Sequence, residues 1–260
     1  MSMIVSSRKN PAVMRYRLLN GDKRAREEWE LFNIEGVRLC EEAAAAGLYI
    51  ESAFITETAV SKYQETYKKL REVCEPVVIT DAIGEYIADT KSPQGVFMTA
   101  VQPVGFAGFD AADNGRYILL DGLQDSGNLG TIIRTADAFG INGVILSPDC
   151  ADVWSPKVVR SAMGSLFRLP VMTQRLPELI KRLRTGGHKV YAAVLDKNAQ
   201  SIDEATFPAK CSVVIGNEGN GVSPEVINSA DGNIYIPIRN AESLNAAIAA
   251  AIFCNEMRKK

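Results

Sequence analysis

Apolar positions along this chain switch repeatedly between a period of two and a helical period. In DSGNLGTIIRTADAFG, Asp125 to Gly140, the residues Leu129, Ile132, Ile133, Ala136 and Gly140 recur at helical spacing, which predicts a helix from Asn128 with Arg134 on the side away from that stripe. The run before it, RYILLDGL, reads as a buried strand. The same alternation continues through GVILS, a helix from Ser155-Pro156, LPVMT, LPELIKRLR, KVYAAVLD, CSVVIG, SPEVINSA and NIYIPI, to a long final helix from about Ser243. Strands alternating with helices imply a mainly parallel sheet with helices on both faces, and such sheets bind ligands at the carboxyl ends of their strands.

The first part of the chain is also α/β. Asn10 is placed to cap a helix that Pro11 starts, and EGVRLCEEAAAAG reads as a second helix, stopped at Gly47. YIESAFIT, PVVIT and VFMTAV read as strands, with SKYQETYKKLREV and DAIGEYIA as the helices between them. Three glycines, a proline and the lack of a period mark Gln102 to Gly115 as a linker. Two domains are expected, 1–108 and 109–260.

Composition narrows the function classes. With 260 residues, 47% of them apolar, the chain can bury a large core or two smaller ones. No run of about 18 apolar residues is present to span a bilayer, and MSMIVSSRKN lacks a signal-peptide core, so a cytoplasmic protein is expected. Cys40, Cys74, Cys150, Cys211 and Cys254 are scattered without a C-x-x-C pair, which argues for buried thiols rather than zinc or disulfides. The single histidine, His188, reads as a turn residue and argues against a His-based triad or metal centre. Net charge is -2, yet Arg8, Lys9, Arg15, Arg17, Lys23, Arg24 and Arg26 face only Asp22 in the same stretch. That local excess suits phosphate contacts, or equally a solvated helix face.

Three polar segments fall at strand ends. DGLQDSGNLG leads from a strand into the Asn128 helix, whose free N–H groups suit an anion, but it fits neither G-x-G-x-x-G nor G-x-x-x-x-G-K-[ST]. Asp149, after the following strand, stands where a ribose-binding acid would lie in a dinucleotide fold, which keeps a nicotinamide-dependent enzyme open. VVIGNEGNGVSPEV places Glu218 among Gly216, Gly219 and Gly221, before a helix capped by Ser223 and started by Pro224. IPIRNAESLNAAIAAAIFCNEMRKK carries Ser243 and Asn245 at a helix start and Arg258, Lys259 and Lys260 at its end.

In this order the three segments resemble the SpoU (TrmH-like) branch of the SPOUT RNA methyltransferases. The match comprises N-x-G-x-x-x-R (Asn128, Gly130, Arg134), G-N-E-G-x-G (Gly216 to Gly221) and I-P-x-x-x-x-x-S-L-N (Ile236 to Asn245). The first domain resembles the family's substrate-binding module, related to ribosomal RNA-binding proteins, with SPQGVF at Ser92 to Phe97 as its end.

The resemblance implies a parallel-sheet domain with a deep C-terminal trefoil knot, a homodimer, and S-adenosylmethionine held through Leu195, Gly216, Ile236 and Leu244. It implies methyl transfer to a ribose 2′-hydroxyl of ribosomal or transfer RNA, with Arg134, Asn128, Glu218, Ser243 and Asn245 as catalytic positions. RNA would meet Arg8, Lys9, Arg15, Arg17, Arg24 and Arg26, and no metal is implied. Arg134 is better suited to bind phosphate and stabilise alkoxide charge than to act as a base, since a guanidinium rarely releases its proton. Ile238, Arg239 and Asn240 stand where the family often has Met and glycines. The alternatives are a catalytically silent RNA-binding protein of the same fold and, less favoured, the nicotinamide-dependent enzyme.

Overall fold

The computed structural model describes residues 4–103, 115–196 and 198–258. Most of the linker expected at Gln102 to Gly115, and Lys259 and Lys260, lie outside the described residues. The first elements are α1 (Pro11–Gly21), α2 (Lys23–Trp29), β1 (Leu31–Glu35), α3 (Val37–Ala45), β2 (Ile50–Thr56), α4 (Glu57–Lys62), α5 (Gln64–Val73), β3 (Val77–Ile79), α6 (Asp81–Ile87) and β4 (Val96–Val101). There follow β5 (Arg116–Leu120), α7 (Ser126–Ala138), β6 (Gly143–Leu146), α8 (Pro156–Ala162), β7 (Val171–Thr173), α9 (Leu176–Thr185), β8 (Lys189–Ala193), β9 (Gln200–Ser201), β10 (Cys211–Ile215), α10 (Pro224–Ser229), β11 (Gly232–Tyr235) and α11 (Ala246–Arg258).

These elements form two units, and the division does not follow chain order. Asp152–Arg168, which carries α8, groups with Met1–Pro103, while Val104–Ala151 and Leu169–Lys260 form the second unit. In the first unit a four-stranded sheet runs β1-β4-β2-β3, with β4 antiparallel to both neighbours and β2 parallel to β3. Asn10 caps α1 through its side chain, and Pro11 occupies the first helical turn. Buried Tyr16 of α1 meets Phe54 and Phe97 edge-on, with ring centroids 5.8 and 5.7 Å away, a preferred aromatic geometry. Asn33 fastens α1 to the sheet by donating to the Tyr16 carbonyl at 2.6 Å and to Asn20 at 2.8 Å.

Asp152–Arg168 is held in this unit by both polar and aromatic contacts. Arg26 is 4% exposed, and its guanidinium bonds Asp152 through Nε at 2.9 Å and Nη2 at 2.7 Å. The carbonyls of Leu19 and Asn20 accept from the same group. Phe32 packs against Trp154 at 4.7 Å between centroids. Arg26 is thereby removed from the expected RNA surface, because its donors are committed inside the protein.

The second unit is built on seven parallel strands in the order β7-β6-β5-β10-β8-β11-β9. Residues of one parity, Tyr117, Leu119, Val190, Ala192 and Val214, pack with Leu176, Leu179, Ile180 and Leu183 of α9. Ile118, Leu120, Val213 and Ile215, of the other parity, are also buried, and α11 packs against α7, β10 and β5. Such two-sided burial accounts for the near-continuous apolar runs in these strands.

Several local expectations change. LFNIE, unassigned from its pattern, forms β1. The helix expected over SKYQETYKKLREV breaks at Tyr63 into α4 and α5. Asp125, rather than Asn128, caps α7 by accepting from the Asn128 N–H at 2.7 Å. Gly140 lies beyond that helix with φ +70°, a left-handed turn position rather than part of the buried stripe. Ser223 makes no side-chain cap; its N–H donates instead to Asp121 at 2.7 Å. Cys74 is partly exposed, while the other four thiols are buried.

Candidate functional site

Immediately after β10 the chain must turn back on itself, and this requirement shapes the GNEGNG loop. A Cβ on Gly216 would lie 2.1 Å from the backbone of Gly221 and Val222, so only glycine permits the fold-back. Asn217 and Gly221 exchange backbone hydrogen bonds of 2.9 Å. The Asn217 side-chain oxygen accepts from the N–H groups of Gly219 and Asn220 at 2.9 and 3.1 Å, and its amide donates to the Gly122 carbonyl at 2.7 Å. Asn217 thus clamps this loop to the turn at the end of β5. Its place among the glycines was a signal for such an Asn-stabilised turn, but periodicity assigns it no partner.

Glu218 projects from the clamped loop toward the start of α7. It accepts from the N–H groups of Gln124 and Asp125 at 3.2 and 3.1 Å, and from Asn128 Nδ2 at 3.1 Å. Partial burial would raise its pKa, but the Asn128 amide and the backbone donors of Glu218, Gln124 and Asp125 outweigh that and hold it below the ordinary carboxylate value. Asn128 Oδ1 in turn accepts from Asn245 Nδ2 at 3.0 Å. Asn245 completes the chain by capping α11, its oxygen accepting from Ala247 and Ile248 at 2.9 and 3.3 Å. The final helix therefore starts at Ala246, not at Ser243.

Beside this chain of side chains lies a cavity of about 650 Å³, within the range of small-molecule sites. Leu195, Gly216, Ile236 and Leu244 all line it, together with Glu218, Ser243, Asn245 and Ile238. Strand β11 ends at Tyr235, which frees Ile236 to turn into the cavity wall. Asn240 takes φ +63°, a left-handed conformation that asparagine tolerates. Ser243 lines the cavity without a hydrogen bond to any described residue.

The electrostatics of the wall discriminate between ligands. Among the described lining residues Glu218 is the single charged side chain, and the rest is mainly aliphatic with polar backbone. An adenosyl group with a sulfonium cation fits such a wall, whereas a dinucleotide pyrophosphate would face a carboxylate and no cation. Asp149, which would make the ribose contact of a dinucleotide fold, does not line this cavity. It accepts from Ser147 Oγ, which in turn accepts from the Gly122 N–H at 2.8 Å.

Arg134 stands apart from the hydrogen-bonded chain of Glu218, Asn128 and Asn245. It is exposed on α7 and bonds to no described residue, so Asn128, Glu218, Ser243 and Asn245 do not orient it directly. In the first unit, Arg8, Lys9, Arg15, Arg17 and Arg24 are exposed, although Arg15 pairs with Glu51 and lies 5.1 Å from the Trp29 ring. Gln94 of the SPQGVF stretch accepts from the Val37 N–H at 2.9 Å, at the start of α3.

The sequence profile of the SpoU rRNA methylase family matches residues 115–255, and that of the MRM3-like substrate binding domain matches residues 10–98. The chain is 35% identical over 256 residues to the 23S rRNA (guanosine(2553)-2'-O)-methyltransferase RlmP of Bacillus subtilis (strain 168), covering 98% of each protein. Its fold is similar to that of an AdoMet-bound rRNA methyltransferase from Sinorhizobium meliloti, with TM-score 0.87, 30% identity and coverage of 99% of this chain and 97% of that one. The SpoU methyltransferase AviRb from Streptomyces viridochromogenes, in complex with the cofactor AdoMet, superposes with TM-score 0.82 at 25% identity, covering 96% of this chain and 97% of that one.

Proposed function

This chain belongs to the SpoU rRNA methylase family, and from that premise we propose that it transfers a methyl group from S-adenosylmethionine to a ribose 2′-hydroxyl of ribosomal RNA, as a cytoplasmic homodimer. The observation that carries this reading is the hydrogen-bonded chain Glu218–Asn128–Asn245, which joins all three motifs at the rim of a cavity with a single carboxylate and no described cation.

When bound, S-adenosylmethionine supplies an electrophilic methyl group on a sulfonium. Leu195, Ile236 and Leu244 would enclose its apolar parts, and the clamped backbone around Gly216 would offer hydrogen bonds without a charged partner. Glu218 and Asn128 hold the turn before α7 in place, and Asn245 ties it to α11. Arg134, with no described partner of its own, has its planar fork available for an RNA phosphate and for charge developing on the 2′ oxygen. As the oxygen takes up the methyl group, the 2′-hydroxyl proton would pass to solvent water. Ser243, with no hydrogen bond to a described residue, would accept from or donate to the ribose. Threading of the C-terminal segment past the Gly216–Val222 loop, the knot of this family, accords with both segments lining one cavity. The first unit, with its exposed basic residues, docks the RNA.

Incubation with labelled S-adenosylmethionine and unmodified transcripts of 23S ribosomal RNA and transfer RNA, followed by mass-spectrometric mapping of 2′-O-methyl groups, tests this reading. Transfer to the ribosomal transcript is expected. Transfer to transfer RNA alone would overturn the substrate, and methylation of a base or of neither RNA would overturn the reaction.

A further inference from the structure

Tyr86, on α6, carries two arginines on one ring. Arg8 Cζ lies 4.6 Å and Arg17 Cζ 4.3 Å from the ring centroid, both within cation–π range. The fold produces this arrangement from three segments. Val5 pairs with Ile79 beside β3, which brings the Ser7–Asn10 turn and Arg8 next to α6. On α1, Asn20 donates to the Ile87 carbonyl at 2.7 Å and Arg17 to that of Tyr86, so α1 closes the last turn of α6. Tyr86 itself packs against the core formed by Val13, Tyr16 and Ile83, and so the ring is a fixed platform.

Both guanidinium groups are exposed, and neither pairs with a described carboxylate. Three of their neighbours in the same basic stretch are engaged, Arg15 with Glu51, Lys23 with Glu27 and Arg26 with Asp152, while Lys9 and Arg24 are exposed without a described ion pair. The carbonyl bond of Arg17 uses one of its five N–H donors and leaves the others open. Two like charges held within one ring's reach repel each other unless an anion lies between or beside them. Stacking also removes much of the rotamer freedom that a free arginine would lose on binding.

We propose that Arg8, Tyr86 and Arg17 form a preorganised clamp for the phosphodiester backbone of the RNA substrate, with Tyr86 as a positioning residue. This rests on the RNA methyltransferase reading. Backbone phosphate is the favoured ligand because the forks present planar, multidentate donors.

Filter binding of the full-length protein to an unmodified 23S ribosomal RNA transcript, across a salt series, tests the clamp. The double variant Arg8→Ala/Arg17→Ala should bind roughly tenfold or more weakly at moderate salt and lower the salt slope by about one per arginine. Its S-adenosylmethionine affinity by calorimetry should equal the parent's. Tyr86→Phe keeps the ring and should bind within about twofold of the parent, whereas Tyr86→Leu should approach the double variant. Parent-like affinity and slope in the arginine double variant, with the parent binding tightly, would overturn the clamp and leave the methyltransferase reading intact. A parent that neither binds nor methylates the transcript would overturn both. Equal loss with Tyr86→Phe and Tyr86→Leu would remove Tyr86 from the clamp, since a shared ring would then make no difference.

Discussion

Replacing Arg134 separates chemistry from stability more cleanly than any other change at the site. The side chain is exposed on α7, bonds to no described residue, and lies off the stripe of Leu129, Ile132, Ile133 and Ala136 that is buried in the core. Removing it should cost no more than about 0.5 kcal/mol of stability, and the better helix propensity of alanine pushes that toward zero. The expected shift in Tm is about 2 °C or less. S-adenosylmethionine affinity should also persist, because Arg134 does not line the cavity. Loss of one transition-state contact to developing oxyanion charge, by contrast, costs about 3 kcal/mol, or roughly a hundredfold in rate. Arg134→Lys retains the charge but not the planar fork, and should recover only part of the rate. Single-turnover methyl transfer at saturating RNA and cofactor is the appropriate assay, since binding then drops out. An Arg134→Ala protein that transfers methyl at the parent rate would refute the catalytic role.

Other expectations concern the loop and the first unit. Gly216→Ala forces a Cβ to within 2.1 Å of the Gly221 and Val222 backbone, so the loop must open, and S-adenosylmethionine affinity by calorimetry should fall roughly tenfold or more. Asp152→Ala leaves Arg26 buried without its carboxylate and should lower stability by about 3 kcal/mol in urea unfolding; a loss below about 1 kcal/mol would mean that water replaces the pair. Glu218 has a folded pKa below its unfolded value, so its charge contributes stability above the unfolded value and that contribution disappears as pH falls through the folded one. The Tm difference between the parent and Glu218→Gln should accordingly be constant from about pH 6 to 8 and shrink below about pH 4.5; a difference that grew on acidification would contradict the assigned hydrogen bonds.

Much of the fold was legible because local physics repeats. Alternating apolar runs and helical stripes predicted nearly every strand and helix of the parallel sheet, and Asn10-Pro11 announced the start of α1. The three motifs likewise stood out as polar insertions at strand ends. LFNIE escaped this reading because its five residues are all buried in the first unit and show no alternation. SKYQETYKKLREV hid its break at Tyr63 because amphipathic spacing continues on both sides.

What only the tertiary structure decided are the partnerships between residues far apart in the chain. Glu218 reaches Asn128 across 90 positions and Asn245 reaches Asn128 across 117, and no local period encodes either contact. Arg26 and Asp152, 126 positions apart, turn a residue expected on the RNA surface into a buried anchor. Arg8 and Arg17 look like any exposed cations until folding lays both on Tyr86. A side chain's charge and size are written in the sequence, but burial and the nearest counter-charge, which determine whether it stabilises the fold or remains free for a ligand, exist only once distant segments pack together.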